Sequence, residues 1–356
     1  MGGVHWYMAA TYVGAVVGAG FASGQEALTF FVTYGAWGVI GILGAMVGFA
    51  AMGALNFALA QDMADGSYRR ILEITCGRGW AKYYDIIITC FLLAGVGVML
   101  AGAGSLVLQQ WGLHPLVGIL LTACVAGMSS HGGIKGVFWV NALLVPGILL
   151  STVGLGIFGF TKLWPLLQNS GIQALWGTTP SPLVPNWWLA AIIYLAYNSM
   201  LGIAACIPLA AALPTGKSAL WGGTMGGLTL GLLLLAGSIA VWGGGLAAIE
   251  TPVPMARVAT EAHSVIGSLY GIIIWSAMIT TAATNLFAVT RRLGNKPRLI
   301  TIGGLLVLAL GLSLVGFTSL VGLLYPAFGY MGCLYVIQAL AYFCRKWWPQ
   351  IMGKVR

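Results

Sequence analysis

Two polar stretches interrupt long apolar runs of the sequence, and they hold the residues best suited to binding a ligand. The first stretch is Gly18, Ala19, Gly20, Phe21, Ala22, Ser23, Gly24, Gln25 and Glu26, and the second is Tyr197, Asn198, Ser199, Met200, Leu201 and Gly202. Glycine lowers helix propensity and short polar residues favour new helix starts, so each stretch predicts a break in a helix. N–H groups freed at such a break can bind a carboxylate, and freed carbonyl oxygens can bind a cation. For the second stretch, an intact helix with Asn198 bonded to a neighbour is the alternative.

Glu26 is the only one of the seven acidic residues that falls deep within a long apolar run. An acidic residue inside a membrane span indicates a functional site, because an unpaired charge there is costly. Glu26 could carry a coupled proton, or it could be a structural anion beside Gln25 at the start of the second half-helix. Its position at that helix start favours the structural role over proton coupling.

The composition of the chain indicates a membrane protein. The 356 residues are 59% hydrophobic and 6% charged, with a mean hydropathy of +0.94, whereas soluble domains carry about 25% charged residues. A soluble enzyme, a disordered protein and a nucleic-acid-binding protein are therefore excluded. The net charge of +9 is explained by basic loop residues that orient spans in a lipid bilayer.

Ten apolar stretches approach or exceed the length that a bilayer core requires. They lie at 5–33, 36–60, 84–110, 115–130, 137–160, 186–212, 217–243, 264–290, 299–315 and 319–344. If both termini are cytoplasmic, only Lys162 and Arg257 of the 16 basic residues fall on the outer side. This asymmetry predicts an all-α, multi-pass protein with ten transmembrane helices and both termini inside.

The two predicted breaks occupy corresponding positions in the two halves of the chain. Five spans separate them, so the halves run in opposite directions across the membrane. Paired interruptions of this kind indicate a 5+5 inverted-repeat transporter whose site lies at the midplane. The chain is thus expected to be a single transmembrane domain, residues 1–356. It comprises a first repeat at 1–160, an outer connection at 161–185, a second repeat at 186–344 and a cytoplasmic tail at 345–356.

The run from Gly18 to Glu26 is similar to the opening helix of the bacterial YkvI-type membrane proteins. The chain as a whole resembles the LeuT-fold amino acid, polyamine and organocation transporter superfamily. This resemblance implies the LeuT fold, with helices 1 and 6 broken at the midplane, and location in the bacterial cytoplasmic membrane. It also implies alternating-access transport of a small solute.

The resemblance further implies a sodium site between helices 1 and 8. Aligning the break in helix 1 with sodium-coupled members assigns the ion to carbonyls of Gly14, Val17 and Ala277 and to hydroxyls of Thr280 and Thr281. Five neutral oxygens suit a hard monovalent cation. The alternative is that the threonine hydroxyls bond back to the preceding helical turn.

The solute is expected between the two breaks, beside Ala19 and Gly20. The N–H groups of Ala22, Ser23 and Gly24 would meet a carboxylate, and the walls would be Phe21, Tyr197, Asn198 and Ser199. Asn141 and Asn285, two further amides within spans, are expected to join helices rather than bind solute.

These expectations together favour a secondary transporter, a symporter of a small amino-acid-like or organic-amine solute with Na⁺ as the coupling ion and no other cofactor. The alternatives are a proton-coupled transporter that uses Glu26, and a membrane sensor of the same fold that binds solute without moving it. An enzyme is disfavoured, because the sequence has no metal cluster, activated nucleophile or phosphate loop.

Overall fold

The computed structural model describes residues 4–61, 68–133, 135–212, 216–294 and 299–352, which fold into α-helices and two short 3-10 helices. Seven helices in these ranges are long and apolar enough to cross a membrane. They contain the spans Ala36–Leu59, Arg78–Trp111, Pro115–Gly132, Leu143–Ala174, Leu220–Gly243, Ser264–Leu293 and Phe317–Arg345. Leu299–Ser313 is a shorter apolar helix. The chain is therefore a multi-pass membrane protein.

The helices follow the predicted spans in order, with short helices in the connections. They are α1 (Val4–Val16), α2 (Ala19–Ser23), α3 (Gln25–Phe30), α4 (Ala36–Gln61), α5 (Tyr68–Cys76), α6 (Arg78–Trp111), α7 (Pro115–Gly132), α8 (Lys135–Ser170), α9 (Trp187–Ala212), α10 (Gly216–Gly243), α11 (Gly245–Ile249), α12 (Pro254–Ala262), α13 (Ser264–Leu293), α14 (Leu299–Ser313) and α15 (Phe317–Met352). The 3-10 helices are Val32–Tyr34 and Gly171–Ala174. Because α8 continues to Ser170, the expected end of the first repeat at 160 falls inside this helix.

The first predicted span is interrupted twice. Val17 and Gly18 separate α1 from α2, and Gly18 has extended backbone angles. Gly24 separates α2 from α3 in the left-handed conformation, with φ of 80°. A side chain disfavours that conformation, and a Cβ at Gly24 would also lie 2.6 Å from Cγ of Met255. Both the left-handed backbone at position 24 and the nearby Met255 side chain therefore require glycine at this turn.

The second predicted break, at residues 197–202, is wrong, because α9 runs without interruption through this stretch. The Asn198 amide donates to the carbonyl of Tyr194 at 2.9 Å, and the Ser199 hydroxyl donates to that of Leu195 at 2.7 Å. Both polar side chains therefore bond to the preceding turn of their own helix. Gly202 serves helix contact instead, since a Cβ there would lie 3.0 Å from the ring of Tyr12.

The helices pack as two groups. One contains α1, α4, α9 and α10, and the other contains α6, α7, α13 and α14. Glycines bring backbones close together in the first group: Gly223 faces the backbone of Gly53, and Gly227 faces that of Phe49. Such small residues allow helices in a membrane to approach closely. Helix α8 contacts both α10 and α13, and α15 contacts both α9 and α6, so these two helices connect the groups.

Helix α12 lies over the interrupted first span and is fastened to the end of α6. The Gln109 side chain donates to the carbonyl of Val253 at 2.9 Å and accepts from its amide at 3.0 Å. The Gln110 amide donates to Thr260 at 3.1 Å. These bonds hold α12 against α2, where Met255 covers Gly24.

Candidate functional site

A cavity of about 270 Å³ lies between α1, α8 and α13, directly beside the first interruption. All five residues that the family resemblance assigns to sodium line it: Gly14, Val17, Ala277, Thr280 and Thr281. Gly14 and Val17 lie at least 260 positions before the three residues of α13, yet the fold brings both groups to one space.

The interruption of the first span frees carbonyl oxygens at this cavity. In a continuous helix the amide of Gly18 would bond to the carbonyl of Gly14. Here it donates to the carbonyl of Val16 at 3.0 Å instead. The first bond of α2 runs from the amide of Ala22 to the carbonyl of Gly18, so the Val17 carbonyl lies outside that helix. Gly14 and Val17 can therefore offer oxygens to a cation.

Two threonine hydroxyls of α13 bond back to the preceding turn of their own helix, as the alternative to a sodium site predicts. The Thr280 hydroxyl donates to the carbonyl of Ala277 at 3.1 Å, and the Thr284 hydroxyl donates to that of Thr280 at 2.8 Å. A hydroxyl that donates backward retains lone pairs that can coordinate a cation. The two interpretations of Thr280 are therefore compatible in this geometry, and every oxygen of the predicted set is uncharged.

Glu26 forms a separate buried cluster with tyrosines of α9. Its carboxylate accepts a hydrogen bond from Tyr197 at 2.5 Å and another from Tyr194 at 3.2 Å. A Cβ at Gly20 would run into the other carboxylate oxygen and would lie 3.0 Å from the Tyr325 hydroxyl. Glycine at position 20 thus makes room for the carboxyl group, and Glu26 connects α3 to α9.

This geometry changes the structural role expected of Glu26. The residue lies in the first turn of α3, but the first amide of that helix, at Gln25, donates to the Ser23 hydroxyl at 3.1 Å. The carboxylate extends to α9 and accepts its described bonds from tyrosine hydroxyls rather than from backbone N–H groups. The hydroxyl of Tyr325 also lies close to this carboxyl group, and its sequence context gave no reason to place it there.

The predicted carboxylate-binding N–H groups are largely occupied. The amide of Ala22 donates to the carbonyl of Gly18 at 3.0 Å, and that of Gly24 donates to Phe21 at 3.1 Å. The prediction that these two amides meet a solute is therefore wrong. The Ser23 hydroxyl is likewise engaged, since it donates to the carbonyl of Gly20 at 2.6 Å. The amides that precede the first bond of α2 belong to Ala19, Gly20 and Phe21.

The residues of α9 predicted to complete the solute pocket do not line the large cavity. Asn198 and Ser199 are buried and bonded within their own helix. Tyr197 faces Glu26 and borders a different, apolar cavity of about 20 Å³, which Phe91 and Phe328 also line. That volume is close to the room that one water occupies. Among the described residues, the two predicted parts of the solute site therefore border different cavities.

Asn141 and Asn285, which the sequence suggested as helix-joining residues, line the large cavity instead. Within the described ranges, no cluster of three or more His, Cys, Asp or Glu side chains could hold a transition metal. The polar chemistry of the cavity thus comes from amides, hydroxyls and backbone carbonyls.

Comparison with known sequences identifies relatives over nearly the full chain. No family model matches. The "Uncharacterized membrane protein YkvI" of Bacillus subtilis (strain 168) is 28% identical over 349 residues, which cover 95% of each chain. The "Uncharacterized protein YyaD" of the same strain is 24% identical over 351 residues, covering 97% of this chain and 98% of the relative.

Solved structures of low sequence identity share the fold. MhsT in complex with L-phenylalanine matches with a TM-score of 0.59 and 16% identity over 94% of this chain and 90% of MhsT. The inward-facing conformation of Mhp1 matches with a TM-score of 0.57 and 13% identity over 92% of this chain and 73% of Mhp1. A substrate-bound Na⁺-coupled sialic acid symporter matches with a TM-score of 0.55 and 14% identity over 92% of this chain and 75% of the symporter. The predicted resemblance of this chain to YkvI in sequence and to the LeuT fold in structure is therefore confirmed.

Proposed function

We propose that this protein is a secondary transporter that moves a small amino-acid-like or organic-amine solute by alternating access, coupled to Na⁺. The observation that carries the proposal is the convergence of Gly14, Val17, Ala277, Thr280 and Thr281 on one cavity. Freed carbonyls and neutral hydroxyls are the ligands that transporters use for monovalent cations. The sodium-coupled sialic acid symporter among the structural neighbours supports the same coupling.

The proposed architecture has ten spans in two inverted repeats of five, with both termini in the cytoplasm. The interrupted first span and α14 account for two of the spans beyond the seven long apolar helices, and α9 is the third. This topology leaves most basic residues on the cytoplasmic side, as the positive-inside rule requires. Reporter fusions to the loops after α4 and α8 would test it, because an inner and an outer location are expected, respectively.

The test of function is uptake of labelled amino acids and amines by proteoliposomes under an imposed sodium gradient. Thr280→Val removes one predicted sodium ligand. On the scale of a hydrogen bond to a charged group, the contact between this hydroxyl and the ion should contribute about 1.5–3 kcal/mol to sodium binding. The apparent affinity for Na⁺ should fall about tenfold or more. Thr229→Val is the matched control, since Thr229 in α10 also bonds back to its own helix but lies outside the cavity. An equal effect of the two variants would contradict the sodium site.

Proton coupling through Glu26 is a second candidate, favoured by the burial of this carboxyl group between two tyrosine hydroxyls. It predicts uptake that responds to a pH gradient without sodium and loses that response in Glu26→Gln. If uptake in Glu26→Gln depends on pH as it does in the unsubstituted protein, Glu26 does not carry the coupled proton.

Solute binding and solute movement must be measured separately. A solute that raises thermal stability shows binding. Tight binding without gradient-driven uptake would contradict the transporter proposal and favour a membrane sensor of the same fold.

A further inference from the structure

Asn141 of α8 and Asn285 of α13 both line the cavity. Polar side chains in spans usually hydrogen-bond to a neighbouring helix. Neither of these amides has a hydrogen-bond partner among the residues that the structure describes. Both are therefore available to a molecule in the cavity.

The neighbouring helix leaves room for one of these amides. Gly95 of α6 lies behind Asn285, and a Cβ at this position would be 2.6 Å from the amide nitrogen. The absence of a side chain on Gly95 thus allows the Asn285 amide to occupy its place at the cavity wall.

The remainder of the described lining is uncharged. Its polar side chains, besides the two amides, are threonines of α13, and Leu144, Val145 and Ile148 of α8 form an aliphatic wall. The cavity of about 270 Å³ has the volume of roughly nine waters. It is therefore large enough for a small organic solute and offers no charged side chain to pair with a charged group.

The chemistry of two unpaired amides selects a complementary group. Each asparagine presents two N–H donors and one carbonyl acceptor. A carboxylate only accepts hydrogen bonds, so it would leave both amide carbonyls without a partner. An ammonium only donates, so it would leave the N–H groups without one. A carboxamide matches both, because it carries N–H donors and a carbonyl acceptor of its own.

We infer that Asn141 and Asn285 form a binding site for a carboxamide group of the solute. The inference rests on the proposed transport function and refines it, because it names the polar group that the solute carries. The amides share the cavity with the proposed sodium ligands, so ion and solute bind next to each other.

The experiment compares pairs of solutes that differ only in this group: L-glutamine with L-glutamate, and L-asparagine with L-aspartate. Binding to the purified full-length protein is measured by calorimetry in the presence of Na⁺. The amide of at least one pair should bind about tenfold more tightly than its acid, as a site with unpaired polar groups requires. Asn141→Leu and Asn285→Leu should each remove this preference. Equal binding of amide and acid, binding of neither, or an unchanged preference in both variants overturns the inference.

A second pair of variants moves the amide without replacing it. Gly95→Ala places a methyl group against the Asn285 amide, whereas Gly79→Ala, in the same helix, meets nothing within 4 Å. Gly95→Ala should weaken carboxamide binding, and Gly79→Ala should leave it unchanged. Equal carboxamide affinity in the two variants contradicts the assigned position of the amide.

Uptake measurements on the same preparations separate this inference from the transport proposal. Sodium-driven uptake that is indifferent to both asparagine substitutions overturns the carboxamide site and leaves transport standing. Carboxamide-selective binding without gradient-driven uptake of any probe supports the site and overturns transport.

Discussion

The hydrogen bonds between Glu26 and the tyrosines of α9 can be measured by removing one hydroxyl at a time. Tyr197→Phe deletes the bond of 2.5 Å to the carboxylate and keeps the ring packed against Phe30 and Tyr325. Because buried apolar area barely changes, the cost should be that of one hydrogen bond. For a charged acceptor this is about 1.5–3 kcal/mol. Tyr194→Phe deletes the longer bond of 3.2 Å and should cost less, about 1 kcal/mol.

The assay is reversible unfolding in mixed detergent micelles, with Glu26→Gln as the second arm of a double-mutant cycle. Tyr197→Phe and Glu26→Gln should be non-additive by 1 kcal/mol or more, on the order expected for contacting residues. Tyr330→Phe is the control, because this hydroxyl bonds to the carbonyl of Leu183 instead. It should combine additively with Glu26→Gln, within about 0.5 kcal/mol. Additivity of Tyr197→Phe with Glu26→Gln would refute the inferred contact.

Two further predictions concern the connections on either side of α3. Gly24→Ala should destabilise the protein by more than the roughly 1–2 kcal/mol that a left-handed alanine costs, because the added Cβ would also meet Met255. Gly112 is the control, since it is left-handed too but a Cβ there would meet nothing within 4 Å, so Gly112→Ala should cost only the backbone strain. Equal losses of stability in thermal unfolding would contradict this prediction. The Tyr34 hydroxyl donates to the carbonyl of Val184, and burial raises the pKa of Tyr34 to about 12. Since the folded state favours the protonated form, this stabilisation should be complete below pH 10 and decline as the pH rises towards 12, a step that Tyr34→Phe should lack in unfolding measured against pH.

Local features of the sequence predicted the helices and the interruption at Gly18. The apolar runs are long enough to specify spans without knowledge of their neighbours. Gly18 and Gly24 lie where the backbone leaves the helical conformation, and glycine weakens a helix locally. These features depend on residues close together in the chain, so they can be read directly.

The prediction failed where two local outcomes compete. Asn198 and Ser199 are as able to bond to the preceding turn as to cap a new helix, and only the packing around α9 decides between the two. The partners of Glu26 lie 168 and 171 residues away, and the two amides of the cavity come from separate halves of the chain. No spacing within a single helix reveals such contacts.

The two ends of α2 differ in the space around them. A Cβ at Gly18 would meet nothing within 4 Å, whereas one at Gly24 would meet Met255 of α12. Because Gly18 also lines the cavity, a side chain at position 18 would take up cavity space without displacing a neighbour. Position 18 therefore sets the volume of the cavity, while position 24 sets how closely α12 packs on the first span.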